Sequence, residues 1–254
     1  MKVVINKLPR QSARVKFLGD IHVGSKKCDY KSFQETLDEI KNNEDCYCVV
    51  MGDLLNNSTR NSVGDVYEEP LTPMQQIEKA VSMLAPIKDK ILGVTTGNHE
   101  RRTYRTDGID LMSIVCAQLG ILDKYDPAGV LIIIKGETGT GKGHLYNTMY
   151  ISHGDGANGK MIGGKANALA KRANNFANVD IVCVGHTHQP ITFKQAYMMF
   201  DPHHDIVRRK EQLCINTSAF LDYEEYAEII GLPPSAKAQP TLYLAADKEP
   251  QCLL

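Results

Sequence analysis

Val15-Lys16-Phe17-Leu18-Gly19-Asp20-Ile21-His22 joins a short apolar run to a polar turn that begins with glycine. The apolar run has the composition of a buried β-strand, and it ends where the polar side chains begin. Glycine permits a sharp turn and a close approach of backbone to a ligand, and carboxylate and neutral imidazole groups bind divalent metal ions. The segment therefore predicts a strand whose end presents Asp20 and His22 to a metal ion.

Four further segments repeat this arrangement of an apolar run followed by polar residues. They are Gly52-Asp53, Gly97-Asn98-His99-Glu100, Ser152-His153-Gly154-Asp155 and Gly185-His186-Thr187-His188. Loops beyond the carboxyl ends of strands in an open α/β sheet converge on one crevice, so we expect these distant residues to meet. One such motif alone is more often a hydrogen-bonded loop than a metal site. Five in this order predict a hydrolytic site with two metal ions.

Predicted strands and helices alternate in the first half of the chain, and strands predominate in the second. The predicted strands are 15–18, 47–51, 91–95, 130–135, 145–152, 181–184, 191–200, 207–215 and 241–245. The predicted helices are 29–41, 72–84, 109–119, 164–176 and 223–230. This order implies βαβ units with right-handed crossovers, and two packed sheets with helices outside accommodate it. Without an internal repeat or a linker, residues 1–254 are expected to form a single domain.

Capping residues and apolar spacing support two of these helices. Thr72, followed by Pro73 and Gln75, has the pattern of a capping box, and Ser32 with Glu35 suggests another. The predicted buried positions are Phe33, Leu37 and Ile40 in the first helix, and Met74, Ile77, Val81 and Leu84 in the second.

Composition excludes several classes of protein. The 254 residues are 43% hydrophobic and carry a formal net charge of -1, so no global field recruits nucleic acid or an acidic membrane. Seven cysteines, mostly inside apolar runs, favour reduced core thiols over a disulfide framework. The first residues lack the apolar core of a signal peptide, and the longest apolar run, Val130–Ile134, is too short to span a membrane. We therefore expect a cytoplasmic protein without a membrane partner.

From about Phe17 to His188, the motif series resembles the calcineurin-like metallophosphoesterase family. The family pattern is Asp-x-His, Gly-Asp, Gly-Asn-His-(Asp/Glu), a later His, and Gly-His-x-His. The resemblance implies a four-layer α/β sandwich, in which two mixed β-sheets are flanked by helices. It also implies the ligand set, with Asp20, His22 and His188 on one ion, Asn98, His153 and His186 on the other, and Asp53 bridging them. Manganese is our first choice because the ligands are oxygen and nitrogen, with iron and zinc as alternatives.

The implied reaction is hydrolysis of a phosphomonoester or phosphodiester by a metal-bound hydroxide. Asp53 and His99 are the predicted catalytic residues, and His99 serves as general acid or binds the phosphate. Glu100 and Asp155 are expected to accept the second N–H of ligating imidazoles.

Two alternative functions remain open. One is a DNA or RNA nuclease of the same superfamily, and the other is a non-catalytic scaffold, which the complete ligand set argues against. The motif Gly-Asn-His-Glu and the segment 220–228 also resemble phosphoesterases of bacteriophages and prophages. This resemblance slightly favours the nuclease alternative.

Residues beside the motifs are candidates for binding the substrate. Arg101, Arg102 and Arg105 could neutralise phosphate oxygens, the alternative being an exposed helix start or loop. Asn56 and Asn57 could donate hydrogen bonds, although asparagine is common at loop ends. We select Arg101 and Asn56 as the predicted substrate-binding residues. The basic segment 160–172 is expected to be a solvated helix face, with a nucleic-acid or phosphate contact as the alternative.

The glycine-rich segment 136–143 imitates a phosphate-binding P-loop. A true P-loop needs Ser or Thr after Lys142 and a helix next, whereas this chain has Gly143 and then a strand-like run. We therefore predict a hairpin connection and no ATP binding.

Overall fold

The computed structural model describes residues 1–59, 69–137, 144–154, 161–223, 234–246 and 248–254. The strands of the described residues are β1 (Lys2–Leu8), β2 (Ser12–Leu18), β3 (Cys46–Met51), β4 (Ile91–Thr95), β5 (Val130–Gly136), β6 (Tyr146–Ser152), β7 (Ile181–Val184), β8 (Ile191–Asp201), β9 (Ile206–Asn216), β10 (Thr241–Ala245) and β11 (Gln251–Leu253). Their α-helices are α1 (Tyr30–Asn42), α2 (Pro73–Leu84), α3 (Glu100–Asp107), α4 (Leu111–Leu119) and α5 (Ile162–Ala173).

The strands form two mixed sheets. One has six strands in the order β1-β5-β6-β7-β9-β8, and the other has five in the order β11-β10-β2-β3-β4. Strands β2, β3 and β4 are parallel to one another, and so are β6, β7 and β9. Parallel strands end at the same edge of a sheet, so the polar motifs after β2, β3 and β4 share one edge and those after β6 and β7 share another.

Side chains along β3 alternate between two hydrophobic cores. Cys48 and Val50 pack with residues of α1, α2 and α4, while Tyr47 and Met51 pack between the two sheets. A third cluster, which includes Leu169 of α5, covers the outer face of the six-stranded sheet. The predicted fold class is therefore confirmed, with two mixed sheets packed together and helices on both outer faces.

The cysteines contribute to these cores. All seven are free; six are buried and Cys252 is partly buried. Among the described residues, no helix is both long and apolar enough to cross a membrane.

The two predicted capping boxes have different outcomes. At α2 the Thr72 hydroxyl accepts the N–H of Gln75, and the Gln75 side chain accepts the N–H of Thr72, as predicted. The box of Ser32 and Glu35 is wrong, because Asp29 is the cap of α1 and accepts both the N–H and the O–H of Ser32. Ser32 stands at the third helical position, where its N–H needs an acceptor from the preceding turn.

The predicted helix faces are largely confirmed. Phe33, Leu37 and Ile40 of α1 and Ile77 and Leu84 of α2 are buried, and Val81 is partly buried. Met74 is the exception, since it is 55% exposed in the first turn of α2. Gln76 is fully buried in that turn instead and donates hydrogen bonds to Glu69 and to the carbonyl of Leu71.

Among the described residues, one α-helix and two strands were absent from the sequence prediction. Helix α3 has the sequence Glu-Arg-Arg-Thr-Tyr-Arg-Thr-Asp, which offers no apolar face to detect. Strand β1 buries only alternate residues at the edge of its sheet, and β11 has three residues. Short or half-polar elements of this kind give weak periodic signals.

Two further predictions fall partly outside the described residues. The predicted helix 223–230 lies there except for Tyr223, and so does the stretch 138–143 of the glycine-rich segment. The strand expected after that segment is confirmed, because β6 pairs antiparallel with β5.

Candidate metal centre

Among the described residues, three groups of side chains meet where the ends of the two sheets adjoin, with ligand atoms in each group within 4.8 Å of one another. The groups are Asp20, His22 and His188; His22, Asp53 and His99; and Asp53, His153 and His186. Polar residues that follow strands of both sheets therefore come together, as the strand-end motifs predicted.

The backbone at this centre adopts an unfavourable conformation. Asp20, His22, Asp53, His186 and His188 have φ angles of 53°, 55°, 47°, 68° and 57°. Residues other than glycine avoid this left-handed region, and each such residue costs about 1–3 kcal/mol. Among the described residues only Asn57 and Asp205 share the feature, so the strain is concentrated at the candidate ligands.

Hydrogen bonds between the loops hold this conformation in place. The N–H groups of Ile21 and His22 both donate to the Asp53 carbonyl at 2.9 Å. The N–H of His186 donates to Asp20 Oδ2 at 2.9 Å, so the loops of the two sheets are joined directly.

Two glycines allow these loops to approach closely. A Cβ atom on Gly97 would lie 2.0 Å from Asp53 Oδ1, and one on Gly185 would lie 2.7 Å from Asp20 Oδ2. Both distances are shorter than any van der Waals contact. The motifs therefore need glycine at these two positions so that the carboxylates can occupy the centre.

Asp53 lies at the middle of the centre. Its Oδ2 atom is 3.2 Å from His153 Nε2, 3.8 Å from His99 Nε2 and 3.9 Å from His22 Nε2. Its Oδ1 atom accepts the N–H of His99 at 2.9 Å. One carboxylate oxygen thus faces imidazoles from three different loops, which is the position that a bridging ligand requires.

His153 connects the two halves of the centre. Its Nε2 atom lies 3.0 Å from Asn98 Oδ1 and 3.1 Å from His186 Nδ1. Its Nδ1 atom lies 2.9 Å from the carbonyl oxygen of Met51, to which it donates. That hydrogen bond directs Nε2 toward the centre, as in metal-ligating histidines, and Nε2 would bind a metal ion after losing its proton.

The surroundings of His22 indicate whether these residues suit a metal ion. Both of its ring nitrogens are buried without a hydrogen-bond partner in the structure. A buried imidazole without partners is costly, and a bound cation would satisfy one of its nitrogens. The donor atoms around it are carboxylate oxygens and imidazole nitrogens, which suit Mn²⁺, iron or Zn²⁺. The residues therefore fit a divalent metal ion.

Burial and neighbouring charges shift the pKa values of Asp53 and His153 in opposite directions. Burial alone would raise the pKa of Asp53, but His153, His99 and His22 outweigh it and hold that pKa well below its usual value. Burial lowers the pKa of His22 well below the usual range. Burial would also lower the pKa of His153, but Asp53 raises it to about 10. Ionised carboxylates thus lie at the base of the centre and attract a cation.

The centre is buried at its base and open on one side. The side chains of Asp20 and Asp53 are 0% and 2% exposed, whereas that of His188 is 34% exposed. The centre therefore meets solvent at His188.

Glu100 has a different role from the one expected. It is buried, and its carboxylate accepts the backbone N–H groups of Asp53, Leu55 and Gly97 at 3.2, 2.9 and 2.9 Å. The prediction that it would accept an imidazole N–H is wrong, because Met51 and Asn56 provide backbone carbonyls for His153 and His99. Asp155 lies outside the described residues.

Other supporting residues escaped the sequence prediction. Asn216 donates to Thr187 Oγ1 at 2.7 Å, and Lys165 donates to the Thr187 carbonyl at 3.1 Å. Lys165 is only 9% exposed, so the solvated helix face expected there is wrong at this position. Asn216 is the last residue of β9, whose final five residues are buried, and that position was the one available signal.

The structure places the two predicted substrate-binding residues beside the centre with their side chains engaged elsewhere. The guanidinium of Arg101 donates to the carbonyl of Pro127, and the amide of Asn56 donates to Glu69. The backbone of Asn56 does contribute, because His99 Nδ1 donates to its carbonyl at 2.6 Å. Of the three arginines, Arg102 is the one in contact with His99, at 2.9 Å from Nε2.

Comparison with known proteins supports the motif assignment. A family model described as calcineurin-like phosphoesterase matches residues 13–190. No curated protein matches the chain.

The solved structures that resemble the chain include three of low sequence identity. A predicted phosphoesterase from Streptococcus pneumoniae is 12% identical, with a TM-score of 0.39 over 96% of this chain and 98% of that one. Vps29 from Entamoeba histolytica, solved with Zn²⁺, is 15% identical, with a TM-score of 0.39 over 94% and 97%. A hypothetical protein from Pyrococcus horikoshii is 12% identical, with a TM-score of 0.38 over 87% and 94%.

Proposed function

This chain belongs to the calcineurin-like phosphoesterase family, and from that premise we propose that it is a metal-dependent hydrolase of phosphomonoesters or phosphodiesters with a dinuclear centre. The observation that carries the proposal is the position of Asp53. Its Oδ2 atom lies 3.9 Å from His22 Nε2 and 3.2 Å from His153 Nε2, and Asp53 belongs to two clusters of potential ligands.

The ligand set proposed for one ion is Asp20, His22 and His188, and for the other Asn98, His153 and His186, with Asp53 shared. The donor types support Mn²⁺ as the native metal, ahead of iron and zinc. When bound, two such ions supply Lewis acidity toward phosphate oxygens and lower the pKa of water. We also propose that residues 1–254 act as one domain, since the two sheets share a core.

The chain's own residues orient the reaction. Asp20 and Asp53 provide fixed negative charge at the base of the centre, where burial excludes water. Met51 and Asn56 hold the tautomers of His153 and His99 through their carbonyls. His99 Nε2 lies 3.8 Å from Asp53 Oδ2 and 2.9 Å from Arg102 Nη2, and we propose that it serves the departing oxygen or the phosphate there.

A substrate panel tests this proposal. Manganese-loaded protein is offered an aryl phosphomonoester, an aryl phosphodiester, cyclic nucleotides, and single- and double-stranded DNA. We expect hydrolysis of an aryl ester that a chelator abolishes and added manganese restores. Cleavage of DNA with little turnover of the small esters would favour a nuclease. No turnover of any substrate by protein that holds its metals would favour a scaffold and contradict the proposal.

A further inference from the structure

Arg102, in the first turn of α3, directs its guanidinium toward the imidazole of His99. Nη2 lies 2.9 Å from His99 Nε2, and Nη1 lies 3.4 and 3.5 Å from the carbonyl oxygens of Asn56 and Asn57. The other ring nitrogen of His99 donates to the Asn56 carbonyl, so Nε2 is the acceptor for Arg102. All three of these partners are neutral acceptors.

The cation of Arg102 lacks a carboxylate partner among the residues that the structure describes. The arginine ion pairs found there involve Arg10, Arg14, Arg208 and Arg209. Burial lowers the pKa of Arg102, although the negative charges of Asp53, Glu100 and Glu69 oppose this.

The nearby carboxylates already have partners. Glu100 accepts three backbone N–H groups. Glu69 accepts hydrogen bonds from Ser58, Gln76 and Asn56. The half-buried guanidinium of Arg102 has only neutral acceptors among the described residues. A hydrogen bond to a phosphate oxygen would stabilise it more, because a hydrogen bond between charged groups is roughly twice as strong as one between neutral groups.

Arg102 also lies close to where a substrate must bind. The same Nε2 atom of His99 that contacts Arg102 is 3.8 Å from Asp53 Oδ2, so a single imidazole separates the guanidinium from the shared carboxylate. The side chain of His99 is 18% exposed, more than those of Asp53 and His22, at 2% and 4%. An anion that enters the centre therefore comes within reach of Arg102.

We propose that Arg102 binds a non-bridging oxygen of the substrate's phosphoryl group and thereby favours phosphomonoesters over phosphodiesters. The inference rests on the proposed function and names its substrate class. A terminal phosphate offers three non-bridging oxygens and, with a second pKa near 6, carries about two negative charges at neutral pH. A diester offers two such oxygens and one charge. A further cation in the centre thus discriminates between them.

Binding of inorganic phosphate to the manganese-loaded protein tests the contact without requiring turnover. Calorimetry compares the wild type with Arg102→Ala, Arg102→Lys and Arg105→Ala; Arg105 is an exposed residue of the same helix. We expect Arg102→Ala to weaken phosphate binding about 10–100-fold, the loss of a charged hydrogen bond. Arg102→Lys keeps the charge but not the planar guanidinium, so it should weaken phosphate binding less than Arg102→Ala. Arg105→Ala should bind phosphate within about twofold of the wild type.

Hydrolysis kinetics test the selectivity. Arg102→Ala should lower kcat/KM for an aryl phosphomonoester about 10–100-fold, mainly through KM, and that for the diester about threefold or less. Metal content and melting temperature are measured for each variant. If Arg102→Ala does not fold, Arg102→Lys provides the same comparison.

Several results would overturn the inference. One is phosphate binding that is unchanged in Arg102→Ala, and another is an equal fall in kcat/KM for the monoester and the diester. A third is loss of the metals from Arg102→Ala, because Arg102 would then support the centre and not the substrate. A wild type that hydrolyses neither ester would contradict the proposed function, and the phosphate titration would still decide the role of Arg102. A loaded wild type that binds no phosphate would contradict the inference itself.

Discussion

The two sheets bring different chemistry to the candidate centre. Loops of the five-stranded sheet carry both carboxylates, Asp20 and Asp53, whereas loops of the six-stranded sheet carry the imidazoles of His153, His186 and His188. One half therefore provides both carboxylates, and the other provides imidazole nitrogens only. In the ligand assignment proposed above, each ion takes ligands from both sheets, so a bound cation would link the two halves.

The supports of the two halves differ in the same way. In the five-stranded half, the buried carboxylate of Glu100 binds three backbone N–H groups of the loops that carry Asp53 and Asn98. In the six-stranded half, the neutral amide of Asn216 and the ammonium of Lys165 bind the Thr187 side chain and carbonyl. One buried carboxylate thus holds three N–H groups in the five-stranded half, whereas two separate donors hold the other half, so removing Glu100 should cost more than removing Asn216.

Asp53→Asn is expected to have the largest effect, because it removes the charge that the two halves share. Asparagine tolerates the left-handed φ of 47°, so the backbone should stay in place. We expect loss of bound metal and a fall in turnover of at least about a thousandfold, or ~4 kcal/mol. Metal analysis and steady-state kinetics measure both, with the exposed Asp38→Asn as control. Full turnover with full metal content would refute the bridging role.

His99→Ala should separate catalysis from metal binding in the five-stranded half. If His99 acts as general acid, the variant keeps its metals and loses about 10²–10⁴-fold in turnover, most for substrates with poor leaving groups. Rates for an activated aryl ester and an alkyl ester provide the measurement. Equal losses for the two would rule out the acid role, and loss of metal would make His99 a ligand with His22 and Asp53.

Glu100→Ala and Asn216→Ala compare the supports of the two halves directly. Glu100→Ala leaves three buried N–H groups without their acceptor and should lower the free energy of unfolding by about 3 kcal/mol. Asn216→Ala removes a neutral donor and should cost about 1–2 kcal/mol. Urea denaturation of the metal-free proteins measures both. Equal losses would show that the halves do not differ in support.

Asp29→Ala should have the smallest effect, since Asp29 caps α1 away from the centre. The hydrogen bonds from Lys237 and from the N–H of Ser32 lower the pKa of Asp29 to about 2. A lowered pKa means that the stabilisation is present above the unfolded value, near 4, and is lost as the pH falls toward 2. We expect the variant to lose about 1 kcal/mol at neutral pH.

Urea melts of Asp29→Ala between about pH 5 and 2 should show a shallower loss of stability than those of the wild type. Asp29→Asn is the matched control, because it keeps the cap but not the charge. An unchanged slope in both variants would contradict the assigned role.

The sequence predicted the fold and the motif positions because both depend on strong local signals. Five β-branched runs, each closed by a polar motif, identified the strand ends, and the parallel strands did bring those motifs together. The capping box of Thr72 and Gln75 was predictable because its residues lie close together in the sequence.

What the sequence could not predict depends on tertiary contacts. Helix α3 lacks an apolar face, and Glu100 binds backbone groups whose positions no local pattern specifies. Lys165 is buried by the loop around Thr187, which is adjacent only in the folded chain. The choice among Arg101, Arg102 and Arg105 likewise required the position of His99.

Anomalous diffraction from crystals of manganese-loaded protein would test the proposed centre most directly. The arrangement predicts two peaks, one among Asp20, His22 and His188, and one among Asn98, His153 and His186, with the Asp53 carboxylate in contact with both. No peak, a single peak, or metal bound away from Asp53 would contradict it.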